Sequence, residues 1–386
     1  MKRRTTKIFS VRLGKRLPVA LMTMALTAAN MAFAQEENPW VGEALPAEGG
    51  EFYLYNKSGD GFLLGANTWG TQGSLGQPGL LCTVVVSNGK YKIVTRCNGD
   101  NRGLGSDGYI DNGNPAEYTF TDPTPDDGLN EYVMNLDANK WFYYGGEGTV
   151  LTLDGNGSAT DAQWLFVSKA QREQKLDQAT KDHGVDATFY IMGASFVRTE
   201  PHNWKEVHNG GTVSLSSPGG ASGNHFYCAE ASNNDNFDIY QELTGIRNGR
   251  YRLTCQGFYR GDGSARNAML YAGLVESPLL LAESEEDVPA DANKAAIAFG
   301  DGRYAGNTVE VIVQDGTLRL GVKKNAYIKN DWAVFDNFRL TYLGEATAEE
   351  AFTELMGSFQ NLINDFNDLG AEAIKSELQA VYDKYA

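Results

Sequence analysis

An internal repeat of about 40 residues is the feature that most constrains the fold of residues 50–168. Strand-like segments begin at Phe52 (FYLYN), Tyr91 (YKIVT) and Tyr132 (YVMNL), 39 and 41 residues apart. Each is followed by a glycine-rich middle with Asn-Gly or Asp-Gly turn signals, and each unit ends in an aromatic or β-branched strand. A unit of this size cannot bury its apolar side alone, so the three units must close on a shared core. Because three blades are too few for a propeller, the repeat predicts a β-trefoil-like domain over residues 35–168.

The third unit resembles the ricin-type lectin-like β-trefoils. Its segment GTVLTLDGNGSATDAQW is similar to the strand, turn and Gln-x-Trp ending of that family. Here, however, Gln163 directly precedes Trp164, and the other units have no Trp at this place. The resemblance therefore implies the fold, with Trp164 in its core, but not the family's sugar pocket.

Aromatic residues in the first and third units are candidate ligand contacts. Sugar binding needs an exposed ring for the apolar face of a pyranose and polar groups for its hydroxyls. Trp69 lies in the glycine-rich loop NTWGTQG, and Trp141 and Tyr144 form an aromatic cluster near Asp137. We predict these four residues as ligand-binding, with the alternative that Trp141 or its neighbour Tyr143 packs in the core.

The N-terminus has the pattern of a secretory signal peptide over residues 1–34. Residues 1–18 carry seven Lys and Arg and no acid, and an apolar segment then runs to Ala32-Phe33-Ala34. That segment is shorter than the roughly 20 residues of a membrane span, which disfavours an uncleaved anchor. Cleavage near Ala34 predicts a secreted or extracytoplasmic protein, in the periplasm or at the cell surface, without membrane insertion.

The mature chain is strongly acidic and keeps all four cysteines. Loss of the seven positive charges takes the formal net charge from −16 to −23, which argues against a nucleic-acid partner. One interpretation of the even number of cysteines in an oxidising compartment is a disulfide within each domain, Cys82–Cys97 and Cys228–Cys255. Two pairs of unbonded buried thiols are the other, and the sequence leaves both open. The cysteine and histidine spacing fits no zinc motif.

A polar segment with helix-forming residues, KAQREQKLDQATKDHG, predicts a helical linker over residues 169–184. A second all-β region follows over residues 185–344. The apolar segment TFYIMGASF is predicted as its opening strand. Alternating strands around Asn248-Gly249 and around Asp315-Gly316 predict two hairpins, and long two-sided strands indicate a sandwich.

Three segments of this region resemble the galactose-binding-domain-like jelly roll of carbohydrate-binding modules, as on Bacteroidota-type surface proteins. They are DIYQELTGIRNGRYRLTCQGFYR, DGTLRLGVKK and DWAVFDNFRLTYLG, within the roughly 110 residues from Asn234 to Gly344. The resemblance implies a β-sandwich with ligands bound by loops at one end. Four residues are candidate ligand contacts there: His202 and Trp204 in the polar loop RTEPHNWKEVHNGG, with Arg260 and Trp332 at the same rim.

Asp336 stands in the middle of the predicted closing strand, on the same side as its apolar residues. In related modules such an acid helps to hold a structural calcium with an acid of the opening strand, so the resemblance makes Asp336 a candidate metal ligand. Calcium takes several oxygen ligands, and here only Asp186 precedes the opening strand. The alternative is a carboxylate that accepts backbone N–H bonds. We expect no other cofactor.

The last segment, residues 345–386, changes to a helical period. Apolar residues recur at three- and four-residue spacing through TAEEAFTELMGSFQNLINDFNDLG, and the pattern resumes after Gly370. This predicts a C-terminal helical hairpin. Its apolar stripe packs within the chain or contacts a protein partner.

Enzyme motifs are absent from the sequence, which contains no G-x-S-x-G, P-loop or H-E-x-x-H pattern. The chain is therefore predicted to be an all-β, secreted, non-catalytic protein that recognises carbohydrate or glycoconjugate through loop aromatics. Two alternatives stay open. One is a structural or adhesive extracellular protein whose C-terminal helices mediate protein contact, and the other is a glycan-active enzyme with the trefoil as an accessory.

Overall fold

Ten strands make up the described part of the N-terminal β-region in the computed structural model. The structure describes residues 40–66, 71–125, 127–137, 140–144, 152–154, 162–217, 227–261, 268–368 and 372–385. The predicted signal peptide and Trp69 lie outside the described residues. The strands are β1 Glu51–Asn56, β2 Gly61–Ala66, β3 Gln72–Gly76, β4 Cys82–Ser87, β5 Lys90–Val94, β6 Thr119–Thr121, β7 Tyr132–Asp137, β8 Lys140–Tyr143, β9 Thr152–Asp154 and β10 Gln163–Val167.

Six of these strands close a barrel, as the three-unit repeat predicts. β1 pairs with β4, β4 with β5, β6 with β7, β7 with β10, and β10 with β1. A bridge between Tyr91 and Tyr118 joins β5 to the residue before β6. The repeat starts Phe52, Tyr91 and Tyr132 lie in β1, β5 and β7. Each unit therefore contributes its opening strand to the barrel, and β1 and β10, the first and last strands of this region, pair with each other.

The barrel is filled by aromatic side chains. Trp164 is fully buried, as predicted, and its indole stacks on Phe142 with the ring centroids 5.5 Å apart. Its Nε1–H donates to the Phe142 carbonyl over 2.9 Å, so the buried indole nitrogen is satisfied. Phe52 and Phe166 pack edge to face at 4.8 Å. The core therefore depends on specific ring geometry as well as on apolar area.

A short helix follows the barrel, α1 Lys169–Lys175, and a 3₁₀ turn Leu176–Gln178 continues it. The helix thus occupies the first part of the predicted linker. Its Arg172 is buried, with the guanidinium 4.5 Å from the ring centroids of Tyr53 and Phe62 and 4.8 Å from that of Phe189. The same group lies 3.3 Å from a carboxylate oxygen of Asp186. Since these partners belong to both β-regions, the linker packs them together.

The second β-region contains ten more strands and one helix, α2 Ala292–Gly300. The strands are β11 Val185–Asp186, β12 Lys205–Ser217, β13 Cys228–Thr244, β14 Gly249–Arg260, β15 Ala268–Ala272, β16 Val275–Pro278, β17 Leu280–Leu281, β18 Asn307–Val313, β19 Thr317–Lys324 and β20 Trp332–Tyr342. β13 pairs with β19 through its second half and with β20 through its first half, so it runs through both sides of the sandwich. β14 lies between β20 and β18.

The two predicted hairpins are instead connections between strands that do not pair with each other. β13 pairs with β19 while β14 pairs with β18, so each turn links strands with different neighbours. The turns lie side by side, because the Ile246 N–H donates to the Gly316 carbonyl over 3.1 Å. An alternating apolar pattern is the same whether a strand pairs with the next one or faces it across the core. The hairpin prediction was therefore wrong although the strands were right.

Two further segments differ from the sequence prediction. The predicted opening strand TFYIMGASF begins with a 3₁₀ turn, Thr188–Tyr190, because the Asp186 carboxylate accepts the Thr188 N–H and bends the chain. The polar segment predicted as a loop around Trp204 becomes strand β12 from Lys205 onward. Its side chains are mostly exposed, and pairing with the long β13 holds it in place.

Two helices end the chain, α3 Ala348–Asp368 and α4 Glu372–Tyr385. A capping box begins α3, since the Glu350 N–H donates to Thr347 Oγ1 and the Thr347 N–H donates to the Glu350 carboxylate. The helices contact each other, with the rings of Phe359 and Tyr382 6.3 Å apart. α3 also joins the sandwich, because the Glu354 carboxylate accepts the Ile312 N–H of β18. Within the described part of the chain, no helix is long and apolar enough to cross a membrane.

Candidate functional site

A shallow groove of about 650 Å³ on the barrel surface is the candidate site. It brings together two residues predicted from the sequence, Asp137 and Trp141, and lies across β6, β7 and β8. The lining residues are Lys90, Thr119, Thr121, Pro123, Val133, Asn135, Leu136, Asp137 and Trp141.

The alternation of β8 turns Trp141 toward this groove. Phe142 points inward and is fully buried, so Trp141 and Tyr143 lie on the opposite side and are half-buried. The alternative that Trp141 or Tyr143 fills the core is therefore wrong, because Phe142 takes that place. In the ladder, Trp141 lies opposite Asn135, and a bulge separates that pair from Asp137 and Lys140.

Polar groups of three kinds surround the indole. The Asn135 amide donates to Thr121 Oγ1 over 3.0 Å and to the Val133 carbonyl over 3.2 Å, which fixes its orientation. Asp137 is exposed at the end of β7, and the Lys90 ammonium lies 3.6 Å from a Glu117 carboxylate oxygen. An aromatic face with a carboxylate, an amide and an ammonium offers apolar packing together with hydrogen bonds to a polar ligand. Asn135 was missed from the sequence, although it stands two residues before Asp137 on one strand.

Tyr144 is not among the residues that line this groove. Tyr144 is partly buried against the barrel core and packs on Gly59, where an added Cβ would lie 2.8 Å from its ring. Trp69 lies outside the described residues.

Trp204 is a packing residue in the sandwich. It is buried, stacks on Phe196 at 4.8 Å between centroids, and packs on Phe338 at the same separation. Its Nε1–H donates to the Gly193 carbonyl over 2.8 Å. Since its ring is enclosed by these partners, the predicted stacking of Trp204 on a sugar does not fit the structure. His202, two residues earlier, is exposed.

Arg260 and Trp332 were both predicted to contact a ligand at a rim of the sandwich. They lie close together, but each contacts the other. The Arg260 guanidinium lies over the Trp332 ring, 4.7 Å from its centroid, and donates to the Pro289 carbonyl over 3.2 Å. Trp332 is only 6% exposed, and its Nε1–H donates to the Glu230 carboxylate over 2.8 Å. The ring is thus covered, which corrects the prediction that Trp332 contacts a ligand.

Asp336 lies on β20 opposite Gln256 of β14, and its side chain is buried. Burial raises its pKa well above the ordinary value, and the Asn337 N–H donates to the carboxyl group. Its Oδ1 has no hydrogen-bond partner. The described residues contain no cluster of three or more His, Cys, Asp or Glu that suits a metal ion. The predicted calcium at Asp336 therefore does not fit, because calcium requires several oxygen donors.

The cysteines are free and buried. Burial raises the pKa of Cys82 to about 12, and it raises the pKa values of Cys97, Cys228 and Cys255 as well. Of the two readings that the sequence left open, the structure has the unbonded thiols. Such thiols are protonated at neutral pH and are poor nucleophiles.

One buried acid was not singled out from the sequence. Glu200 is 8% exposed and accepts the N–H of Gly65 from the barrel strand β2. Burial raises its pKa to about 7, and Arg339 partly opposes this rise. Its Oε1 has no hydrogen-bond partner. Its position in the polar segment RTEPHNW gave no sign of burial.

Comparisons with known proteins find likeness among solved structures only, since no protein-family model and no curated protein matches the chain. A ricin B-like lectin of Macrolepiota procera in complex with lactose is 13% identical and covers 32% of this chain and 99% of its own, with a TM-score of 0.28. TmCBM61 in complex with β-1,4-galactotriose is 16% identical and covers 40% of this chain and 97% of its own, with a TM-score of 0.26. A cyclase from Fischerella sp. TAU is 15% identical and covers 41% of this chain and 97% of its own, with a TM-score of 0.24.

Proposed function

We propose that this chain is a secreted, non-catalytic protein that binds carbohydrate or glycoconjugate in the groove around Trp141. The observation that carries the proposal is a half-buried indole, held outward by β8, beside the polar groups of Asn135, Asp137 and Lys90. A pyranose packs its apolar face on the indole, and its hydroxyl groups bond to the amide, the carboxylate and the ammonium.

Catalysis is not part of the proposal. Glycoside hydrolysis generally uses two carboxyl groups on either side of the scissile bond. Among the described residues of the groove, Asp137 is the single acid. The buried carboxyl groups of Asp336 and Glu200 lie outside the groove lining.

The proposed setting is extracytoplasmic. The signal-peptide pattern of residues 1–34 supports export, and the formal charge of −23 after cleavage supports a partner that is not a polyanion. A surface protein of a Bacteroidota-type bacterium is the proposed context, which follows from the sequence resemblance.

A glycan array of the mature chain tests the proposal, with lactose and β-1,4-galacto-oligosaccharides included because two structural neighbours bind such sugars. We expect Trp141→Ala to lose about tenfold or more in affinity for any bound glycan. Tyr143→Ala is the matched control, because Tyr143 is half-buried on the same side of β8 but does not line the groove. If the parent binds no glycan, or if both variants lose binding equally, the groove is not the site.

A second candidate function is protein contact through the C-terminal helices. One observation favours it: Phe352, Leu355 and Leu362 of α3 are 48%, 54% and 50% exposed. Such exposed apolar residues on one helix are typical of an interaction surface.

A further inference from the structure

Helix α3 has an apolar side that stays exposed among the described residues. Ile363 is fully buried, and Phe359 contacts Tyr382 of α4, so these two residues do not belong to the exposed apolar side. Phe352, Leu355 and Leu362 are spaced by three and seven residues, which puts them on one face of the helix. From Phe352 to Leu362 this face is about 15 Å long, at 1.5 Å per residue.

An apolar groove of about 460 Å³ runs between this face and the sandwich. Phe352 and Leu355 form its helical wall. The opposite wall comes from the β15–β16 turn and from β18 and β19, with Leu274 72% exposed and Val311 and Leu318 buried beneath. Both walls of the groove thus carry apolar side chains, and polar residues such as Gln314, Thr317 and Ser358 lie among them.

The charges around the groove are predominantly negative. α3 carries five Asp and Glu and no Lys or Arg, and α4 carries three acids and two Lys. The groove lining adds Asp315 to these, and its one basic residue among those described, Arg319, lies 2.7 Å from a carboxylate oxygen of Asp238. Arg250 of β14 lies 3.5 Å from a carboxylate oxygen of Glu350 and 3.7 Å from one of Glu354, so these two acids of α3 are already paired. A second copy of the chain would bring the same negative charge, so charge complementarity favours a basic partner.

We propose that this groove docks a basic amphipathic helix of a partner protein. The apolar residues of that helix, at three- and four-residue spacing, pack between Leu274 and the Phe352–Leu355 wall, while its Lys and Arg face the exposed residues Asp315 and Glu349. The proposal rests on the second candidate function and names its partner class. It is independent of sugar binding, because Trp141 lies on the barrel and outside this groove.

Fluorescence anisotropy with three labelled synthetic peptides of about 18 residues tests the proposal. The first has leucines at three- and four-residue spacing and lysines elsewhere. The second replaces the lysines with glutamates, and the third is a scramble of the first with the same charge. We expect the first peptide to bind the mature chain about tenfold or more tightly than either of the others. Equal binding of the scramble would reduce the effect to general charge attraction and overturn the proposal.

Single-residue variants show whether the peptide binds in this groove, and thermal unfolding shows whether each variant is still folded. Leu355→Gln and Leu274→Gln, on opposite walls, are each expected to weaken the first peptide about tenfold, with unchanged thermal unfolding. Leu129→Gln is the matched control, since Leu129 is 46% exposed on the barrel. Trp141→Ala is expected to leave peptide binding unchanged. A failure of the helix-docking proposal can therefore be told apart from a failure of the sugar-binding proposal. A dimer in light scattering that Leu355→Gln abolishes would show self-association and contradict a foreign helix.

Discussion

Replacing Glu200 with Gln is predicted to stabilise the protein at neutral and alkaline pH. An unfolded Glu loses its proton near pH 4.5, whereas the folded protein holds it to about 7. Between these values the unfolded state binds fewer protons at this group than the folded state does. The contribution of Glu200 to the free energy of unfolding is therefore highest below pH 4.5 and falls as pH rises toward 7. A pKa shift of this size corresponds to about 3 kcal/mol of unfolding free energy, as an upper value.

Glu200→Gln removes the charge but keeps an oxygen for the Gly65 N–H. Urea unfolding at about pH 4.5 and about pH 8 measures the effect. We expect the variant to match the parent at the lower pH and to exceed it by about 1–3 kcal/mol at the higher pH. The range lies below the upper value because the new amide would place its N–H donors where Glu200 Oε1 now has no hydrogen-bond partner.

The control is Glu206→Gln, which removes one charge from an exposed position on β12. It is expected to change stability by less than about 0.5 kcal/mol at both pH values. A Glu200→Gln difference that is the same at both pH values, or negative at the higher one, would refute the argument that burial raises this pKa.

Three further predictions concern the cores. Trp164→Ala should cost about 3–5 kcal/mol in urea unfolding, because it empties a fully buried site and leaves the Phe142 carbonyl without its donor. Lys324→Met should cost about 3–5 kcal/mol of unfolding free energy, because it leaves the buried carboxylate of Asp331 without its cation. The double variant Lys324→Met with Asp331→Asn should recover part of that loss. No recovery would show that packing dominates the effect. A thiol reagent should label no cysteine in the native protein and all four in urea, and fewer than four in urea without reductant would indicate a disulfide.

Much of the fold followed from the sequence because its signals are local. The repeat starts at Phe52, Tyr91 and Tyr132 identified three barrel strands, and the spacing of apolar residues after Thr347 identified the two C-terminal helices. Strand pairing in the sandwich did not follow. The alternation around Gly249 and Gly316 marks strands, but the partner of each strand depends on residues far away in the chain.

The site was predictable in part for the same reason. Asp137 and Trp141 are close in sequence and share a hairpin, so their proximity was visible. Trp204 and Trp332 stand in segments that look like polar loops or strand ends, yet both are buried by distant partners. Burial from tertiary contacts, such as Phe338 on Trp204, carries no signal in the neighbouring residues.

The most direct test of the sugar-binding groove is a ¹⁵N–¹H spectrum of the tryptophan indoles during titration with a glycan that the array identifies. The chain has six Trp, and Trp141→Phe assigns the groove signal. We expect the Trp141 signal to shift and saturate while those of the buried Trp164, Trp204 and Trp332 stay in place. A titration in which the Trp141 signal does not move, while binding is detected, would contradict this expectation.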